Sequence, residues 1–185
     1  MSLDYAILGF LNYQPCTGYD LKKLFDTSVR HFWQADQSQI YRTLARLLQE
    51  DYAELEVIEQ EDRPDRKVYS ITPDGQQALR KWLASPPPME GARSAPLVQV
   101  FFAGQMSDAE ILAKFEGFAA IMRALLAQYE QVPESADLLH SDITSPRERY
   151  FWMLTLDNGI RNMRANLEWA ESVIRQIQSG QVPQE

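Results

Sequence analysis

Apolar residues recur at three- and four-residue intervals along most of this chain, and the pattern changes to alternation in one place. Between Ser38 and Gln49, Ile40, Leu44, Leu47 and Leu48 fall on one helical face, so they are expected to point into a core. Asp36 followed by Gln39 opens that helix as a capping box. Upstream, Ala6, Ile7, Leu8, Phe10 and Leu11 predict a largely buried helix that Pro15 stops. Thr17 with Asp20 starts a second helix, packed through Tyr19, Leu21, Leu24 and Phe25, and Phe32 and Trp33 follow as expected core anchors. Downstream, Leu55 and Val57 alternate with Glu54, Glu56 and Ile58, which predicts a half-buried strand. Val68 to Ile71 is the return strand. The turn between them, EDRPDRK, holds Pro64-Asp65 and the cations Arg63, Arg66 and Lys67. Thr72-Pro73 then caps a helix running to about Ala84.

The second half is helical throughout. Four prolines and a glycine in SPPPMEGARSAP, Ser85 to Pro96, argue for an extended link. Beyond the short apolar segment Leu97 to Ala103, Ser107 with Glu110 opens a helix reaching about Gln131. Its residues Ile111, Phe115, Phe118, Met122, Leu125 and Tyr129 are spaced 4, 3, 4, 3 and 4. Ser145-Pro146-Arg147-Glu148 starts the last helix. Its seam of Met153, Leu156, Ile160, Met163, Leu167, Ala170, Ile174 and Ile177 has the alternating 3 and 4 spacing of a coiled coil. A helix of about 35 residues is roughly 50 Å long, more than a small monomer can cover. A second copy of the chain is the expected partner, in preference to the 107–131 helix alone.

The predicted fold is therefore mainly α with a small β-hairpin. A winged helix-turn-helix over residues 1–84 is followed by a link over 85–96 and a helical dimerisation region over 97–185. A helix beside a basic hairpin suits duplex DNA, because the helix enters the major groove while the hairpin reaches phosphates. The expected DNA contacts are Ser38, Gln39, Tyr41, Arg42, Thr43 and Arg46 on the third helix, Lys22 on the second, and Arg63, Arg66 and Lys67 on the wing. The dimer contacts are expected at Met153, Leu156, Ile160, Met163, Leu167, Ile174 and Ile177.

Net charge is the main objection, at −8 for the whole chain. Residues 1–84 hold 10 basic against 13 acidic residues, so this half is also acidic. Affinity for DNA depends on where cations meet phosphates, and they gather at Lys22/Lys23, Arg42/Arg46 and Arg63/Arg66/Lys67. Weak non-specific binding and marked salt sensitivity are expected. The competing reading is a winged helix turned to protein binding.

These motifs resemble the PadR family of transcriptional regulators. SQIYRTLARL is similar to that family's recognition helix, DRPDRKVYSITPDGQQALRKWL to its wing and next helix, and LDYAILGFLNYQPCTGYDLKKLF to its first two helices. One departure is Arg42, where many members have proline. VQVFFAGQMSDAEILAKFEGF and GIRNMRANLEWAESVIRQI resemble the family's C-terminal dimerisation region. The resemblance implies a homodimer on double-stranded DNA, with a repressor's role on a palindromic operator. For some members it implies a small hydrophobic or aromatic effector near the dimer centre. Phe101, Phe115, Trp152 and Trp169 are the candidates for that site here.

Enzyme chemistry finds no support, for there is no Gly-rich phosphate loop, no GxSxG and no paired His and Cys. His31 and His140 are the only histidines, so neither a metal nor a cofactor is expected. The single Cys16 fits a reducing compartment. No segment has the length of a transmembrane run or the pattern of a signal peptide, and a cytoplasmic protein is expected.

Overall fold

The computed structural model describes residues 2–61, 65–87, 94–132 and 145–183. They form two compact units. The first comprises α1 (Ser2–Tyr13), α2 (Gly18–Leu24), α3 (Gln37–Gln49), β1 (Ala53–Ile58), β2 (Arg66–Ile71) and α4 (Pro73–Leu83). The second comprises α5 (Ala95–Phe101), α6 (Asp108–Glu130) and α7 (Pro146–Gln178) beyond its first turn.

In the first unit, Ile7, Leu8, Leu21, Ile40, Leu44 and Leu47 have no solvent exposure and join the three helices into one core. Thr17 and Asp36 both form the capping boxes that the sequence predicts, with Asp20 and Gln39. β1 and β2 pair antiparallel, with Ala53 opposite Ile71 and Ile58 opposite Arg66. A backbone bridge ties this hairpin to the α1–α2 connection. The Cys16 N–H donates to the Tyr69 carbonyl at 3.0 Å, and the Tyr69 N–H donates back at 2.9 Å. Cys16 thus acts as a one-residue third strand. It is buried, and burial, helped by the charge of Asp20 and opposed by Arg66, pushes its thiol up to about 11.

Four local expectations change. β1 is not half-buried along its length: Ala53 is covered, but Leu55, Val57 and Ile58 are exposed, while β2 is covered from Val68 to Ile71 with Tyr69 buried. Arg66 and Lys67 belong to β2, opposite Ile58 and Val57, and not to the turn. Phe32 is exposed and Trp33 half-buried, since Phe25 and Ala35 fill the buried positions of that stretch. Downstream, Ser94 caps α5 by accepting from the Leu97 N–H at 3.3 Å, so Ala95 and Pro96 open a helix. Proline is tolerated there because a first-turn N–H has no helical partner.

In the second unit α6 and α7 lie antiparallel. Arg123 pairs with Glu171 at 2.7 Å, and Arg164 pairs with Glu130 at 2.5 Å. Phe115 and Ala119 of α6 bury against Ala170 of α7, with Leu167, Val173 and Ile174 packed around them. Part of the α7 seam is therefore consumed inside the chain. Leu167 and Ile174 pack on this cluster, and Leu156 and Ile177 are already buried, while Met153, Ile160 and Met163 are half-buried. Apolar residues left uncovered include Leu97, Val98, Phe101 and Phe102 near α5, Ile121 on α6, and Tyr150, Phe151, Leu154 and Trp169 on α7.

Candidate nucleic-acid interface

The first turn of α2 is where the third helix and the wing meet. Gly18 lies under the Tyr41 ring so closely that a Cβ there would sit 2.6 Å from its Cε1 and Cζ. The missing side chain lets α3 seat its aromatic against α2. On the same turn, the Asp20 carboxylate accepts from the Thr17 amide at 3.0 Å and the Thr17 hydroxyl at 2.7 Å. It also pairs with Arg66 of β2 at 3.5 Å. Burial works to raise the Asp20 carboxyl, but the Thr17 hydrogen bonds and Arg66 outweigh it and hold the group below its ordinary value.

The outer face of α3 presents Ser38, Gln39, Tyr41, Arg42 and Arg46, all exposed. Gln39 spends its side-chain oxygen on the Asp36 amide at 3.0 Å, which leaves its amino group for a partner. Arg42 donates from Nε to the Ser38 carbonyl at 3.3 Å and makes no ion pair with another described residue. Thr43 does not belong to this face. At 4 % exposure it lies with Ile40, Leu44 and Leu47 on the core side, so it presents nothing to DNA. Its position three after Ile40 and four before Leu47 carried that information, which its polar side chain masked.

The cations divide into two sets. Lys22 pairs with Asp26, Arg46 with Asp4, and Arg66 with Asp20. Lys23, Arg42 and Lys67 are exposed and make no ion pair with other described residues. Arg63 lies outside the described residues. Two of the partner aspartates are invisible to local spacing, because Asp4 and Arg46 are 42 positions apart and Asp20 and Arg66 belong to different elements, whereas Asp26 stands four residues after Lys22, one helical turn on, and was simply overlooked.

Of the four aromatics expected around an effector, Phe115 and Trp169 are in ring contact. Phe115 is buried in the α6–α7 core with Trp169 edge-on at 5.3 Å. Phe101 is 81 % exposed. Trp152 lies 17 positions before Trp169 on α7, roughly 25 Å along the axis. Among the described residues, no cluster of His, Cys, Asp and Glu has the make-up of a metal site.

Comparison with known proteins accounts for both units. Residues 7–81 match the transcriptional regulator PadR-like family, and residues 92–178 match the virulence activator alpha C-terminal family. The chain is 28 % identical over 180 residues to the negative transcriptional regulator PadR of Bacillus subtilis, covering 95 % of this chain and 97 % of that one. It is 41 % identical over 86 residues to the probable transcriptional regulator Rv1176c of Mycobacterium tuberculosis, a match spanning 46 % of each protein. The crystal structure of B. subtilis PadR in complex with operator DNA superposes with a TM-score of 0.80, at 28 % identity over 96 % of this chain and 99 % of that one. The same protein in complex with p-coumaric acid gives 0.74 at 25 % identity, over 96 % and 99 %.

Proposed function

This chain belongs to the PadR-like family of transcriptional regulators, and we propose that it is a homodimeric repressor, released from operator DNA by a small aromatic acid. The observation that carries this reading is the pairing of an exposed α3 face with a cationic β2. Arg42 and Lys67 lie on them, exposed and with no ion pair to a carboxylate among the described residues. Arg42 has the planar donor set that reads guanine edges or phosphates, whereas Lys67 is a point charge suited to phosphate alone. The likeness to operator-bound PadR extends over 96 % of the chain and supports the same docking.

Dimerisation follows from what the second unit leaves uncovered. Phe101, Phe102, Val98 and Leu97 of the α5 region, with Tyr150, Phe151 and Leu154 of α7, form more exposed apolar surface than single scattered residues. A second copy covers it, and the two-fold relation then presents two α3 helices to two half-sites. The interface draws on these exposed residues and on the half-buried Met153, Ile160 and Met163, more than on the seam positions already packed within the chain. An effector between the copies reaches Phe101 and the free edge of Trp169, while Phe115 is held in the core. The protein works in the cytoplasm, and no described helix is long and apolar enough to cross a membrane.

The test is a gel shift on the DNA upstream of the chain's own gene, with unrelated duplex as competitor and p-coumaric acid as the effector probe. Two protomers per operator and release by the acid are expected. Failure of the upstream DNA to outcompete unrelated duplex contradicts the operator reading. Retention of the complex at millimolar acid contradicts the effector.

A further inference from the structure

Of the six cations on α2, α3 and β2, half are bound to aspartates. Lys22, Arg46 and Arg66 are each held by one carboxylate, while Lys23, Arg42 and Lys67 have none among the described residues. The arrangement repeats once per element, with Asp26 against α2, Asp4 of α1 against α3, and Asp20 against β2. Asp4 is the most enclosed of the three, its side chain 13 % exposed, so Arg46 cannot swing freely to a phosphate.

Resting on the DNA-binding reading, we propose that Asp4, Asp20 and Asp26 are affinity-setting residues that withhold half of the interface cations from DNA phosphates. Binding to phosphates draws its free energy from counterion release, and the slope of log K against log salt is about −0.9 for each phosphate neutralised. A cation already neutralised by a carboxylate displaces no counterion from DNA unless that carboxylate is set free beside the duplex. Each aspartate therefore removes about one phosphate contact per protomer, or two per dimer. Because phosphates carry no base identity, the effect is the same on every sequence. Such a device keeps an acidic regulator's grip weak enough for release, without touching the residues that read bases.

The experiment measures binding by fluorescence anisotropy from 50 to 300 mM salt, on the chain's own upstream DNA and on an unrelated duplex. Asp26→Asn and Asp4→Asn are the variants. Asp20 is left intact because it also closes the α2 capping box. Each variant is expected to steepen the slope by about 1.8 and to bind both DNAs roughly thirty-fold tighter near 150 mM salt, the gain that counterion release gives for two added contacts. Glu116→Gln, on an exposed position of α6 with no ion pair among the described residues, makes the same change in net charge and is expected to leave the slope unaltered. Asp26 lies on the surface, so its variant stays informative if Asp4→Asn folds poorly.

If the wild type binds and both aspartate variants follow its curve, the proposal is wrong and the DNA-binding reading stands. An equal steepening by Glu116→Gln also overturns it, because net charge then explains the gain. If neither the wild type nor the variants bind either DNA at 50 mM salt, the DNA-binding reading fails and takes this proposal with it.

Discussion

Replacing Gly75 with alanine tests how the wing is anchored to the helical body. A Cβ at this position would sit 2.1 Å from the Tyr52 carbonyl oxygen and 2.9 Å from Cγ1 of Ile71. Van der Waals contact needs a separation larger by about 1 Å, so either the first turn of α4 or the α3–β1 turn must move. Neither moves cheaply. The Tyr52 carbonyl accepts the Thr72 amide at 3.1 Å, and the Thr72 hydroxyl donates to the Asp51 carbonyl at 2.6 Å while accepting from the Gly75 amide at 3.0 Å. Overpacking of this kind costs about 1–3 kcal/mol or more. Alanine's helix propensity returns at most about 1 kcal/mol. A net loss of about 2 kcal/mol is expected, which lowers the midpoint of thermal unfolding by roughly 4–8 °C for a chain of this size. Gly117→Ala in α6 is the control. A Cβ there meets nothing within 4 Å, so only the propensity gain remains, about 0.5–1 kcal/mol in the opposite direction. Circular dichroism at 222 nm, at one fixed protein concentration because a dimer's midpoint depends on it, reads both variants. If Gly75→Ala melts with or above the wild type, the close approach of α4 to the α3–β1 turn is not real.

Three further outcomes are expected. Cys16, buried and with its thiol raised to about 11, should resist a thiol reagent at pH 8 in the folded protein and react at once in denaturant; fast labelling of the native chain would show that the Cys16–Tyr69 bridge opens. The Asp20 carboxyl is depressed on folding, so it contributes stability above its unfolded value, and that contribution is lost as pH falls through the folded one. Urea midpoints of wild type and Asp20→Asn should therefore differ at pH 6 and converge toward pH 2, and a difference that persists in acid would contradict this. Phe115→Ala should cost about 3 kcal/mol and shift Trp169 emission to the red, since Phe115 is buried and stands edge-on to that indole; unchanged emission would mean the two rings are not in contact.

Much of this was legible from local signals. The capping pairs Thr17–Asp20, Asp36–Gln39, Ser107–Glu110 and Ser145–Glu148 each need only four consecutive residues, and all four form. Helix faces were read equally well where a side chain's polarity agreed with its position. Thr43 failed because its position and its chemistry point opposite ways. What escaped the sequence depends on distant partners. Nothing in the spacing couples Asp4 to Arg46 or Cys16 to Tyr69, and the α7 seam does not say whether α6 or a second chain covers it. The alternation of β1 was equally mute on length, since it cannot show that only the first residue of that strand, Ala53, is buried. Gly18 under Tyr41 was visible only as a glycine, because close approach is a property of the fold.

The most direct test of the central claim is the salt dependence of operator binding by the wild type and by an Arg42→Ala, Lys67→Ala double variant. With Lys23, Arg42 and Lys67 making no ion pair among the described residues of each protomer, and each taking one phosphate, a dimer should show a slope of about −5 in log K against log salt. Removing two contacts from each protomer should flatten it by about 3–4 units and weaken binding to all duplexes, with any further loss confined to the base that Arg42 reads. A double variant that keeps both the slope and the affinity of the wild type would show that neither α3 nor the wing grips DNA as described.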